Sequence, residues 1–285
     1  MEVSIVIPAY NESAVIGKTV NRIRSLYPDY EIVVVDDGST DNTAREAESA
    51  GARVVQHPYN IGNGAAVKTG IRNTIGDLIV LMDGDGQHAP EDIPKLLAKS
   101  EKYDLVVGAR SGESQASIQR RLANWCYNHL ASYVANFRIK DLTSGFRVFH
   151  RSLILKYLSL LPNTFSYPTT STLAFLRSGH TVAYVPIVAH KRVGTSKIKL
   201  IRDGYRFLLI IIRIATLFSP LKIFIPISFL FFCAGLGYYG YSYITVHRFT
   251  NMSALLLSVS IMVFLLGMVS EQITQMRYDR ADHFE

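Results

Sequence analysis

Leu78-Ile79-Val80-Leu81-Met82-Asp83-Gly84-Asp85-Gly86-Gln87-His88 is the stretch that decides the fold. A short apolar run ends abruptly in two carboxylates separated by a glycine. A run of this length, apolar on both faces, reads as a strand buried inside a parallel sheet, and the Asp/Gly segment after it as the loop at its carboxyl end. Residues two apart on an extended chain face the same way, so Asp83 and Asp85 can aim both carboxylates at one point. Two carboxylates with positions left open for phosphate oxygens suit Mg²⁺ or Mn²⁺ on a diphosphate, and Gln87 can add a neutral oxygen ligand. A solvated turn contains the same Asp-x-Asp, so its surroundings must decide.

Outward from this run, β-branched segments alternate with helix-like ones as far as about Arg110. The strand candidates are Val3 to Ile7, Glu31 to Val35, Arg53 to Val55 and Leu105 to Val107. Helical stretches at Glu12 to Leu26, Asn42 to Ala50, Gly64 to Thr74 and Pro90 to Lys102 separate them. This is the pattern of a doubly wound, mostly parallel α/β sheet, whose ligand lies beyond the carboxyl ends of the strands. Pro8-Ala9-Tyr10-Asn11-Glu12, Asp36-Asp37-Gly38-Ser39 and the Asp83 loop all fall there. A carboxylate at Asp36 or Asp37 can accept hydrogen bonds from a ribose or nucleobase, or equally belong to a helix N-cap. Gly62-Asn63-Gly64 fits neither a dinucleotide fingerprint nor a Walker loop and reads as a turn near the ligand. Beyond Arg110 come a basic, aromatic helix from about Ser117 to Phe137, a turn at Asp141 to Arg147, a further helix, and a strand near Thr181 to Val188.

Of the 285 residues, 48% are apolar and 19% charged, which excludes disorder and coiled coil. Ile223 to Val246 and Met252 to Ser270 carry no formal charge over 24 and 19 residues, close to the roughly 20 that cross a bilayer core. They read as a transmembrane hairpin joined by His247 to Asn251. Net charge is +7, and between Pro186 and Lys222 eight basic residues face only Asp203, so the rest of the chain is balanced. A basic block beside apolar spans fits an anionic membrane face and places both ends of the hairpin in the cytoplasm. Within it, Ile198 to Phe218 has the basic stripe of an interfacial helix. Nothing points to nucleic acid, and Met1 to Pro8 begins as a strand, so no signal peptide is expected. Cys126 and Cys233 form no disulfide framework. The expected layout is a catalytic domain over 1–196, an amphipathic segment over 197–222, two spans within 223–270 and a cytoplasmic tail over 271–285.

Taken together, Ile7 to Glu12, Val35 to Ser39, Met82 to His88, Gly108-Ala109-Arg110, Asp141 to Arg147 and Arg192-Val193-Gly194-Thr195-Ser196-Lys197 resemble, in order, the family-2 glycosyltransferases of the GT-A fold. The resemblance is to their polyprenyl-phosphate group, the dolichol-phosphate mannose synthase-like enzymes, and it covers about Met1 to Lys222. It implies inverting transfer of a sugar from a nucleotide donor to a lipid phosphate, undecaprenyl or dolichyl. By the matching motifs, Pro8, Tyr10, Glu12 and Asp37 hold the nucleoside, while Asp83, Asp85 and Gln87 hold the metal and diphosphate. Arg110, Arg120 and Arg192 grip the acceptor phosphate, with Arg121 as an alternative to Arg120. Lys197 belongs with the donor-binding residues, and Asp141 is a base or an orienting carboxylate. Gly84 and Gly86 depart from the group's commoner Asp-Ala-Asp-Leu-Gln without removing a ligand atom.

Partners implied are a nucleotide sugar (UDP-glucose, UDP-N-acetylglucosamine or GDP-mannose), the lipid acceptor and membrane lipids, with a homo-oligomer left open. A polysaccharide synthase would need a QxxRW-like element, yet the single tryptophan is Trp125, in Asn124-Trp125-Cys126. A catalytically silent nucleotide-sugar-binding subunit is the reading from another class, and the intact Asp83, Asp85 and Gln87 set speaks against it.

Overall fold

The computed structural model describes residues 1–110, 118–163, 167–188, 216 and 218–282. The chain divides into two compact units, Met1–Leu200 and Ile201–Glu285.

In the first unit, the strands are β1 (Val3–Ala9), β2 (Glu31–Asp36), β3 (Arg53–Gln56), β4 (Leu78–Leu81), β5 (Leu105–Arg110), β6 (Arg147–His150) and β7 (Val182–Ile187). They form one sheet in the order β3-β2-β1-β4-β6-β5-β7. Helices α1 (Ile16–Leu26), α2 (Thr43–Ser49), α3 (Asn63–Arg72), α4 (Ile93–Ser100), α5 (Ile118–Ala135), α6 (Arg151–Tyr157) and α7 (Tyr167–Arg177) connect them. β1 and β4 are buried along their whole length, which is why they read as unbroken apolar runs. β1 lies parallel between β2 and β4, with Ile5 opposite Ile32 on one side and Val80 on the other. The chain leaves β1 for β2 and returns to β4 on β1's opposite edge, which makes their carboxyl ends the switch point where a crevice opens.

β6 is the element the sequence conceals. It runs antiparallel between β4 and β5, with Val148 opposite both Val80 and Val106, so the sheet is mixed rather than wholly parallel. Helix α1 begins at Ile16 rather than Glu12, because the Glu12 carbonyl accepts both Val15 N and Ile16 N at 3.0 Å in a preceding turn.

The second unit contains α8 (Leu221–Val246) and α9 (Asn251–Asp282). Leu221–Val246 and Asn251–Met276 are each long and apolar enough to cross a membrane. His247, in the left-handed conformation at φ 51°, ends α8 and starts the reversal. Across the pair, Ser228 Oγ donates to Ser260 O and Ser260 Oγ donates to Ser228 O, both at 2.9 Å. Gly267 lies against Phe224 where no β-carbon would fit, the close small-residue packing that apolar surroundings favour. α9 continues past Ser270 as far as Asp282.

Candidate active site

The crevice is a cleft of about 490 Å³, and its walls bring together Pro8, Tyr10, Glu12, Asp37, Asp83 and Asp85. Gln87, Arg110 and Asp141 lie outside that lining. Arg192 and Lys197, with the amphipathic stretch 198–215, lie outside the described residues, as does the side chain of Arg120.

The β1 and β2 loops are fastened to each other. Asp37 N donates to Ala9 O at 2.9 Å, Asn11 N to Ser39 Oγ at 2.9 Å, and Thr40 N to Asn11 Oδ1 at 2.9 Å. Asn11 adopts φ 56°, a left-handed conformation that asparagine tolerates. Asp37, 2% exposed, accepts from Ile61 N at 3.0 Å and Gly62 N at 2.8 Å, and His57 Nδ1 stands 2.7 Å from its Oδ1. Its carboxylate therefore sets the Ile61–Gly62 part of the cleft wall.

Asp83 and Asp85 follow β4, both half-buried. Asp85 Oδ1 accepts from Gln87 N at 3.1 Å, which closes the loop on itself. Behind it His88, buried and stacked on Phe146 at 5.1 Å, accepts from Asp83 N at its Nδ1. Burial pushes its imidazole down to about 4, so the ring stays neutral and keeps that acceptor. In front, the Gly145 backbone is pressed against the Asp83 carboxylate, and a β-carbon on Gly145 would stand 2.4 Å from Asp83 Oδ2. Among the described residues, no group of three or more His, Cys, Asp or Glu is placed to hold a metal. Two carboxylates at the mouth of a cleft nonetheless fit a divalent ion that keeps waters and completes its shell with substrate phosphates, the habit of Mg²⁺ and Mn²⁺.

Asp141, 5% exposed, meets the Arg110 fork side by side: Nε donates to Oδ2 at 2.8 Å and Nη2 to Oδ1 at 2.9 Å. It also accepts from Thr143 N and Ser144 N, each at 3.1 Å. Burial alone would raise its pKa, but the Arg110 pair and these amides hold it below the ordinary carboxylate range. Below it, Arg147 is 0% exposed and donates to Ser144 O at 2.7 Å, Leu142 O at 3.0 Å and Thr172 Oγ1 at 2.7 Å. Arg147, Gly145 and His88 appear within the sequence motifs, yet their tasks depend on partners far along the chain and carry no local signal.

The sheet is mixed, and its acidic strand ends open on one cleft at the switch point of a doubly wound α/β fold. The chain belongs to Glycosyl transferase family 2, whose profile matches residues 4–158, more than half of its length. Residues 219–276 match a second profile, the GtrB C-terminal hairpin. The dodecaprenyl-phosphate galacturonate synthase of Rhizobium johnstonii is 33% identical over 54% of this chain and 49% of its own. An undecaprenyl-phosphate mannosyltransferase of Micrococcus luteus is 28% identical over 69% of this chain and 87% of its own. The chain spans about half the length of several curated relatives it matches. Among solved structures, the glucosyl-3-phosphoglycerate synthase of Mycobacterium tuberculosis, in complex with Mn²⁺, UDP and glucosyl-3-phosphoglycerate, aligns with a TM-score of 0.56 and 25% identity over 74% of this chain and 79% of that one. The sheet is therefore of the GT-A type.

Proposed function

We propose that this chain is a membrane-bound, metal-dependent, inverting glycosyltransferase that moves one sugar from a nucleotide donor to a polyprenyl phosphate at the cytoplasmic face. The observation that carries the reading is one cleft in which Pro8, Tyr10 and Asp37 meet Asp83 and Asp85, on a chain that also bears two membrane-length helices. The names of the relatives support the acceptor class, and a neighbour that binds UDP with Mn²⁺ supports the donor and metal class. The proposed layout keeps 1–196 as the catalytic domain, 197–222 as the amphipathic segment, 223–270 as the spans and 271–285 as the tail.

In this reading Pro8, Tyr10, Glu12 and Asp37 hold the nucleoside, while Asp83, Asp85 and Gln87 hold the cation and diphosphate. Bound there, Mg²⁺ or Mn²⁺ would offset the charge that builds on the departing nucleoside diphosphate. A lipid phosphate is already ionised near neutral pH, so the nucleophile needs positioning rather than a base. Asp141 fits that economy: it fixes one edge of Arg110, and the guanidinium so held would position an acceptor oxygen. Arg120, Arg192 and Lys197 complete the anion-binding set in this proposal, with Lys197 on the donor side. The basic segment beside the hairpin supports cytoplasmic termini.

The test is transfer of radiolabelled sugar from UDP-glucose, UDP-N-acetylglucosamine or GDP-mannose into polyprenyl phosphate by the full chain in detergent. Lipid-linked sugar formed from one donor supports the reading. Nucleotide binding with no product from any donor would favour the silent binding subunit.

A further inference from the structure

One polar group in the cleft wall has no task in the reading above: the Tyr167 hydroxyl. Tyr167 opens α7, is 1% exposed, and lines the cleft beside Asp83, Gly145 and Pro168. Its Oη is shut off from solvent and has no hydrogen-bond partner among the described residues. The rest of that helical turn is satisfied. Thr169 Oγ1 pairs with Tyr127 Oη at 2.8 Å, and Ser171 and Thr172 donate to Pro168 O at 3.0 Å. A buried hydroxyl left unpaired costs its full desolvation penalty, whereas phenylalanine would fill the same volume without it. Such an atom in the wall of a cleft is the mark of a partner that arrives with the ligand.

Position says which part of the ligand. Tyr167 shares the cleft lining with Asp83, the residue proposed above to hold the cation and diphosphate, and the Asp83 charge reaches its phenol. Burial and the Asp83 charge keep its proton well above the usual phenol range, so the hydroxyl is available as a donor. We propose that Tyr167 is a donor-substrate-binding residue whose hydroxyl donates to an oxygen at the sugar-bearing end of the nucleotide sugar. This inference rests on the nucleotide-sugar reading and deepens it.

The experiment compares the full-length wild type with Tyr167→Phe in detergent by thermal unfolding: without ligand, with Mn²⁺ and UDP or GDP, and with Mn²⁺ and the matching nucleotide sugar. A ligand that binds only the folded state raises the melting temperature in proportion to its affinity. Expected are a ligand-free melting temperature equal to or above the wild type's, a smaller shift with the nucleotide sugar, and about a tenfold fall in kcat/KM for the donor. Loss confined to the increment between nucleotide and nucleotide sugar identifies a sugar hydroxyl as the acceptor. Loss already present with the bare nucleotide identifies a phosphate oxygen. A lower ligand-free melting temperature in Tyr167→Phe overturns the proposal, because the hydroxyl would then serve the fold, and so do wild-type shifts with both ligands. Absence of any shift in the wild type itself overturns the nucleotide-sugar reading and this inference together.

Discussion

Gly145→Ala is the substitution on which the metal assignment turns. The added β-carbon would lie 2.4 Å from Asp83 Oδ2, 2.7 Å from Oδ1 and 2.8 Å from Cγ. Reaching ordinary van der Waals separation requires a retreat of roughly 1 Å. The backbone on both sides is held, by β4 pairing and by the Asp141-bonded amides of Thr143 and Ser144, so the Asp83 side chain must do the moving. Turning one half-buried carboxylate aside costs the fold about 1 kcal/mol, at the low end for overpacking. The same 1 Å at a reacting centre can cost on the order of 100-fold in rate, about 2.7 kcal/mol of barrier. Initial rates of transfer measured across a Mn²⁺ titration, beside thermal unfolding of the same samples, separate the two effects. Expected are a folded protein, a higher half-saturating Mn²⁺ concentration and a rate down about 100-fold. With Asp83→Ala added, the double variant should be no worse than Asp83→Ala alone, since both changes act through one carboxylate. Wild-type rate and Mn²⁺ dependence in Gly145→Ala would refute the reasoning, because Asp83 could then stand elsewhere without consequence.

Other outcomes follow from the same geometry. Asp85→Asn should fold normally, because Gln87 N can still bond an amide oxygen, and yet lose transfer; wild-type activity should vanish in EDTA and return with Mg²⁺ or Mn²⁺, and full activity in chelator would be fatal to a metal role. Arg192→Ala, at a position outside the described residues, should cut transfer more than tenfold, about 1.4 kcal/mol, while donor affinity holds; an equal fall in donor affinity would move Arg192 to the nucleotide site. For topology, a cysteine at Asn251 should label from outside and one at Asp282 from inside, and labelling of both from one side would remove the two-span hairpin. Burial pushes the Tyr127 and Tyr184 phenols from 10.0 up to about 12. The unfolded chain therefore sheds those protons first, and stability is lost as pH rises from 10 towards 12, by up to about 3 kcal/mol per tyrosine; an alkaline unfolding curve unchanged by Tyr127→Phe would count against this.

The sheet was legible where its strands are buried on both faces, because a strand covered by helices on each side leaves no polar alternation and shows as a plain apolar run. β6 gives no such signal: Arg147 and His150 bound two apolar residues, and nothing nearby reveals that Arg147 is buried. Its acceptors are Leu142 O, Ser144 O and hydroxyls on α7, which only the folded chain brings together. The loops after β1, β2 and β4 announced the cleft through their acidic and turn-forming residues. Asp37 was legible as a strand-end carboxylate, but its bonds to Ile61 N and Gly62 N and its pairing with His57 were not, since no spacing rule links those positions. Tyr167 stands in no acidic or glycine-rich pattern, so only its burial and its missing partner single it out.

The electrostatics beneath the cleft set three carboxylates against two guanidinium groups. Asp83 and Asp85 stand two residues apart, and like charges gathered in low dielectric repel one another. Two guanidinium groups answer this at different ranges. Arg110 binds Asp141 directly through paired bonds. Arg147 is fully buried, its bonds among the described residues go to neutral oxygens, and its charge reaches Asp141 and Asp83 through space. Burial works against that charge, yet a guanidinium remains protonated where another base would neutralise. The same donors hold the carbonyls of Leu142 and Ser144, so the group that offsets the negative charge also fixes the turn that presses Gly145 onto Asp83. Lysine could not take its place: an ammonium is a single point, whereas these acceptors on β6's leading turn and on α7 lie along the separate directions of a planar fork.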